Sequence, residues 1–400
     1  MDAHQDGKFI DPLTGLRFVA AAIVAIGHAA PSLRDDWLGQ LVAQVASIGM
    51  TLFFVLSGFV LWFTYADRML SAPGAALRDF AVARFARLYP MYALVVIIIT
   101  GYLVIRRSQD PTSLVFILTM TQAWFPVLKG TMLVAAIQPL EHLWSISVEL
   151  FFYLLFPLAC FSLGRIRRVR TLLGLSVLNL SVFAVAIAWC FSYGDAFLQA
   201  VIPSLQHDGM AWLTYYSPYL HLSQFLAGCL TAQIYMKLAS RRVDDALRRR
   251  IKIGFGLSVT GLLAAPVLLF VQPSWHGMSF WIELGVRLDE AICFSVIILA
   301  AARFGHARFL GSRALVLGGE CSYSIYLLHP FIFRFALIGK SEFAGVPEFI
   351  ARLAFFVAIT TAFAWAFYRM VEVPSKAWLR QAYRNRRHSD GAVAGTARVG

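Results

Sequence analysis

The stretch VAQVASIGMTLFFVLSGFVLWFTYA, from 42 to 66, contains no charged residue and is long enough to cross the hydrocarbon core of a bilayer as a helix. Similar apolar runs recur along the chain, at approximately 13–31, 42–66, 89–105, 142–163, 171–193, 216–236, 251–272, 279–302, 321–339 and 348–370. The short segments between them hold most of the Lys, Arg, Pro and Gly. Lipid offers the backbone no hydrogen-bonding partner, so such runs must be helices that satisfy their own peptide groups. The 400 residues are 59% hydrophobic and only 14% charged, with a mean hydropathy of +0.68. Soluble domains carry about 25% charged residues. The expected fold class is therefore all-α, a polytopic membrane bundle of ten transmembrane helices. Residues 1–378 form the membrane domain and 379–400 a basic, disordered cytoplasmic tail. The run Leu114 to Trp124 is too short to cross and is expected to lie on the outer surface or re-enter.

An even number of spans puts both termini on one side, and the distribution of basic residues says which. With the termini cytoplasmic, the inner segments collect Arg68, Arg78, Arg84 and Arg87, then Arg165 to Arg170, then Lys237 to Lys252, then Arg303, Arg308 and Arg313, and finally Arg369 to Arg387. The outer segments hold little beyond Arg34, Arg106, Arg107, Lys129, Lys340 and Arg352. The net charge of +13 thus follows the membrane and an anionic ligand, not nucleic acid, because no stacking aromatics are interleaved with the cations. The leader before the first apolar run contains Asp2, Asp6 and Asp11, too acidic for a cleaved signal peptide. Cys160, Cys190, Cys229, Cys293 and Cys321 show no CxxC pairing, so they read as packing residues and no metal site is expected.

Ionisable groups inside spans are expensive, which makes each a candidate for function. Arg17 and His28 are eleven positions apart in the first span, almost three turns, and so share a helix face about 16 Å apart along the axis. A single long ligand touching both would explain the pair. Alternatively, Arg17 snorkels to phosphates while His28 bonds a neighbouring carbonyl. Ser57-Gly58 interrupts an aromatic-rich span, either for close helix packing or to leave room for a ligand. ALRDFAVARFARLYP, 76–90, reads as a helix in the inner interface, anchored on headgroups or, through Arg84 and Arg87 on adjacent turns, on a multiply phosphorylated ligand.

PLEHLWSISVELFFY, 139–153, carries His142, Trp144 and Ser145, with Glu149 one to two turns into the membrane. A carboxylate there handles protons, orients His28 or serves structure alone. Glu283, Arg287, Asp289 and Glu290 read as a self-neutralising network. CSYSIYLLHPFIFRF, 321–335, sets Tyr323, Ser324, Tyr326 and His329 in a helix weakened by Pro330, a face suited to hydroxyl-rich substrates or to helix packing.

Taken in order, these residues resemble the acyltransferase 3 family of membrane O-acyltransferases over Leu13 to about Trp378. The marks are Arg17 and His28 with ten residues between them, LFFVLSGF at 52–59, the Arg84-x-x-Arg87 pair before Leu88-Tyr89-Pro90, HLWSISVE ending at Glu149, and SYSIYLLHP with His329. The resemblance implies acetyl-CoA as co-substrate, with no permanently bound cofactor. It implies a catalytic role for His28 and donor-binding roles for Arg17, Arg84 and Arg87. Glu149 is the candidate to orient or relay protons for His28, and Ser57, Trp144, Tyr326 and His329 are candidates for substrate contacts. The expected acceptor is a sugar hydroxyl on a cell-envelope glycan or glycolipid, in the bacterial inner membrane, with a macrolide or lipid as alternatives. Many members carry a fused extracytoplasmic esterase-like domain, which this chain is expected to lack. The competing classes are a proton-coupled transporter or flippase, disfavoured by the lack of repeat symmetry, and a structural membrane scaffold.

Overall fold

The computed structural model describes residues 10–33, 36–105, 111–129, 132–136, 140–203, 208–239, 244–271, 279–303, 307–335 and 345–396. Arg34, Arg106, Arg107, Arg241, Arg242 and Lys340, used above for the charge alternation, lie outside the described residues, as does the leader before Ile10.

The helices are α1 (Asp11–Leu33), α2 (Trp37–Ser71), α3 (Pro73–Ile105), α4 (Pro111–Leu118), α5 (Trp144–Leu163), α6 (Val169–Trp189), α7 (Asp195–Val201), α8 (Asp208–Ala211), α9 (Pro218–Ala239), α10 (Asp245–Val271), α11 (Ser279–Arg303), α12 (Arg313–Glu320), α13 (Ser322–Phe335), α14 (Val346–Phe367) and α15 (Val373–Thr396). Only the two-residue antiparallel pairing of Leu128–Lys129 with Met132–Leu133 interrupts this all-helical order among the described residues. Six stretches are long and apolar enough to cross a membrane: Asp11–Pro31, Trp37–Ser71, Pro73–Gly101, Glu141–Leu163, Val169–Val201 and Val346–Asn385. The other four expected spans correspond to α9, α10, α11 and α13, which are helical but not among the six. In α9 the reason is visible, since His221, Gln224, Thr231 and Gln233 are buried in it and lower its hydropathy.

One expectation is corrected. The interfacial segment 76–90 is not a separate helix, because α3 runs unbroken from Pro73 through Pro90. Proline removes one intrahelical hydrogen bond, and neighbouring packing inside a bundle can tolerate that loss. α14 passes through a π-helical turn, Tyr368–Glu372, into α15, which continues to Thr396. Tyr383 of α15 donates to Asp79 Oδ1 of α3 at 2.9 Å and docks the two together.

The ends of the helices sort into two groups. Gly164 after α5 abuts Leu70 of α2, Gln233 of α9 donates to Leu163 O at 2.8 Å, and Arg303 of α11 reaches Ala239 O at 3.5 Å. Leu310, beyond α11, presses its carbonyl on Gly15 near the start of α1. At the opposite end, Trp212 donates to Ala123 O at 3.1 Å and Tyr219 to Trp124 O at 2.9 Å, so the segment after α4 packs on the start of α9. Large aliphatic side chains cover the outward face of α6, where Val177, Val182 and Val185 are all exposed. A soluble surface avoids such a patch, whereas lipid accepts it.

α2 is central, packing on α1, α3, α5, α9, α10 and α11. Its closest partner is α9, and glycines explain why. A Cβ on Gly58 would lie 2.0 Å from Phe225 O, and one on Gly228 would lie 2.0 Å from Val55 O. The contact is reciprocal, and only hydrogen fits on either side. Gly58 is thus the packing half of the Ser57-Gly58 pair. We expect Gly58→Val or Gly228→Val to force the helices apart and destabilise the detergent-solubilised protein, by about 1–3 kcal/mol for overpacking alone. A melting curve superimposable on that of the parent would contradict this contact.

Candidate functional site

A cavity opens between α1, α2, α3, α5 and α13. Arg17, Arg84 and Arg87 line it, facing Glu149 as the carboxylate among the lining residues. The cavity therefore carries excess positive charge in a low-dielectric setting, where an anion with several charges is held most strongly. Ser57, Phe53, Ser145 and Tyr326 line it as well, so the basic region grades into a polar and aromatic wall.

Arg84 is the most constrained of the three cations. Its Nη2 donates to Tyr65 Oη at 2.8 Å, and its guanidinium carbon lies 5.0 Å from the Tyr65 ring centroid, 5.7 Å from Tyr153 and 5.9 Å from Phe80. These rings fix the plane of the fork by cation–π attraction. Its Nε is buried with no hydrogen-bond partner among the described residues. Glu149 accepts a short hydrogen bond from Tyr153, four residues on along α5. Ser324 donates to the buried Glu372 at 2.8 Å, and Lys376, one turn further, lies in the electrostatic field of Arg84, Arg87, Arg380 and Glu372. α15 thus adds cations to the mouth of the basic region.

His28 is at the other end of α1 from Arg17 and does not line the cavity. It is exposed, and its Nδ1 lies 3.0 Å from Val24 O and 3.3 Å from His329 Nε2. His329 is 1% exposed, with its Nδ1 2.8 Å from Tyr326 O. The His142 ring packs 5.7 Å from that of His329 and 5.9 Å from that of Tyr326. The Tyr326 hydroxyl is shared between Ser145 Oγ and the carbonyl of His142. Tyr326 and Ser145 therefore join the histidine group to the cavity wall. Among the described residues, no group of three His, Cys, Asp or Glu is disposed to hold a metal ion.

The structure thus gathers Arg17, Ser57, Arg84, Arg87, Glu149 and Tyr326 around one cavity and pairs His28 with His329 beside it. Glu149 is not brought to His28; its partner is Tyr153. Trp144 lies off the cavity, buried between Tyr215, Tyr216 and His221. Arg287 donates to Thr214 O at 2.9 Å, and Glu290 accepts from Thr51 at 2.6 Å. Thr51 in turn accepts from Gln224, which pairs with His221. The side chain of Glu283 lies outside the described residues. Sequence reasoning missed the aromatic cage of Arg84, the His142 contact and Lys376. The i,i+4 spacings of Glu149 with Tyr153 and of Phe80 with Arg84 were local signals among the missed contacts.

Residues 10–369 match a family model described as an acyltransferase domain. The chain is 24% identical to O-acetyltransferase OatA of Staphylococcus aureus (strain NCTC 8325 / PS 47) over 383 residues, which cover 92% of this chain and 57% of OatA. It is 27% identical to acyltransferase MdmB of Streptomyces mycarofaciens over 339 residues, covering 81% of this chain and 79% of MdmB. The chain therefore spans little more than half the length of the OatA relatives. No solved structure matches it.

Proposed function

The chain belongs to the acyltransferase 3 family, and from that premise we propose that it is a multi-pass membrane O-acetyltransferase, moving an acetyl group from acetyl-CoA to a sugar hydroxyl of a cell-envelope glycan or its lipid-linked precursor. The observation that carries this reading is a cavity lined by three guanidiniums, with Tyr326 of its wall packed against His329, which in turn meets the exposed imidazole of His28 beside the cavity. The names of OatA and MdmB, an O-acetyltransferase and an acyltransferase, favour the same chemistry. Ten spans with both termini cytoplasmic, in the bacterial inner membrane, fit the two groups of helix ends and the charge alternation. The basic end then faces the cytosolic donor.

Each residue has a role in that reading. Arg84 and Arg87 hold the nucleotide phosphates by charge-assisted hydrogen bonds, and Arg17 guides the narrow pantetheine arm past Ser57 toward Tyr326. His28 receives the thioester. In direct transfer its free nitrogen takes the acceptor's hydroxyl proton, the alkoxide attacks the thioester carbon, and the C–S bond breaks to a thiolate that collects the proton. In the two-step route that nitrogen itself attacks, the thiolate leaves, and the acceptor oxygen then takes the acetyl group from the ring. Both give an acetyl ester and free CoA thiol. Glu149, held by Tyr153, balances the arginines and moves protons at the donor end.

The test is release of CoA thiol from acetyl-CoA by the purified protein in lipid nanodiscs, with a lipid-linked oligosaccharide as acceptor and ester formation followed by mass spectrometry. Acceptor-dependent thiol release with matching ester is expected. A protein that yields neither is no acetyltransferase, which is the outcome for a transporter.

A further inference from the structure

His329 is buried, with its ring packed against those of His28, His142 and Tyr326. Its nitrogens have opposite duties. Nδ1 faces the carbonyl of Tyr326 at 2.8 Å, and a carbonyl oxygen can only accept, so Nδ1 carries the hydrogen. In the neutral ring, Nε2 of His329 is then a lone pair, and it points at Nδ1 of His28 from 3.3 Å. Nδ1 of His28 also lies 3.0 Å from Val24 O, a second acceptor. Facing two acceptors, it must be the protonated nitrogen and divides its hydrogen between them. The alternative tautomer would set lone pair against lone pair on both sides.

We propose that His329 is a positioning residue that holds His28 as its Nδ1–H tautomer, which leaves Nε2 of His28 as the nitrogen that takes a proton or an acetyl group. This rests on the acetyl-transfer reading above. A histidine's tautomer is set by the hydrogen bond its other nitrogen makes. Val24 O alone cannot serve, because a ring on a helix can rotate away from a backbone carbonyl. His329, locked by Tyr326 on one side and His142 on the other, supplies the fixed acceptor.

Three substitutions separate positioning from packing. His329→Asn keeps a donor for Tyr326 O but is too short to reach His28, and His329→Phe keeps the ring with no nitrogen. His329→Gln carries an amide oxygen near the place of Nε2 and can still accept from His28. Asn and Phe are expected to lower kcat on the order of 100-fold, the scale of losing a residue that orients a catalytic ring, with KM for acetyl-CoA unchanged. Gln should restore most of the rate. Nitrogen-15 spectra of histidine-labelled protein, with the His28 signals identified by their loss in His28→Asn, should show the Nδ1–H pattern in the parent and a tautomer mixture in His329→Phe. Undiminished kcat in the Asn or Phe variants, or equal losses in all three, would overturn the proposal. So would an unaltered His28 spectrum in His329→Phe. The spectra do not depend on turnover, so a protein that transfers no acetyl group refutes the functional reading while still testing the tautomer.

Discussion

His28→Ala is expected to lower acetyl transfer by about a thousandfold, with KM for acetyl-CoA close to that of the parent. General base catalysis contributes 10²–10⁴ in rate, and a thousandfold loss corresponds to about 4 kcal/mol of transition-state stabilisation. The effect falls on kcat because of where the residue sits. His28 does not line the cavity that holds the three guanidiniums, so its removal leaves the donor's anchors in place. It is also exposed, so truncation opens no hole in the core, and the variant should melt with the parent. Steady-state CoA release, with a melting curve as control, measures both quantities. A variant retaining a rate within tenfold of the parent removes His28 from the chemistry. Incubating the parent with acetyl-CoA and no acceptor then separates the two routes. One added acetyl group on the peptide bearing His28 means a covalent intermediate, and its absence means direct transfer.

What could be read from the chain divides by range. The fold class was legible because hydropathy is a local property, and α1 and α2 enclose the spans expected at 13–31 and 42–66. The continuity of α3 through Pro90 was not, because proline's penalty is offset by packing that sequence does not display. The π-helical turn that carries α14 into α15 has the same character. In the site, Arg17, Arg84, Arg87 and Glu149 stood out because charge inside a span is costly wherever it occurs. Their partners did not stand out. His329 meets His28 across 301 positions, and Tyr65 reaches Arg84 from another helix, so no spacing rule connects them. Glu149 was read as a group to handle protons, orient His28 or serve structure because a carboxylate inside a span needs a partner or a proton, and the fold sets it beside Tyr153 and the arginines. Residue type announces which groups need partners, and topology alone decides which partners they get.

Arg84→Ala is expected to raise KM for acetyl-CoA by about 10- to 150-fold. The range follows from one hydrogen bond to a charged group, about 1.5–3 kcal/mol, at 1.4 kcal/mol per decade of affinity. Lysine should not rescue it. The guanidinium is held flat by Tyr65, Tyr153 and Phe80, one nitrogen is spent on Tyr65, and the unpartnered Nε is left for the ligand. An ammonium has no such fork and stacks less well. Truncating Arg84 also strips three aromatic rings of their cation, so a raised KM alone does not prove phosphate recognition. A donor cut down at the phosphates decides it. S-Acetylpantetheine keeps the thioester and the arm but has no nucleotide and no phosphate, so it gives Arg84 nothing to bind. With that donor, parent and Arg84→Ala should have the same kcat/KM, although both will be poor. If the variant carries the same penalty on the truncated donor, Arg84 shapes the cavity wall, and the anionic end of the donor must be held elsewhere, with Arg87 and Lys376 the cations to examine.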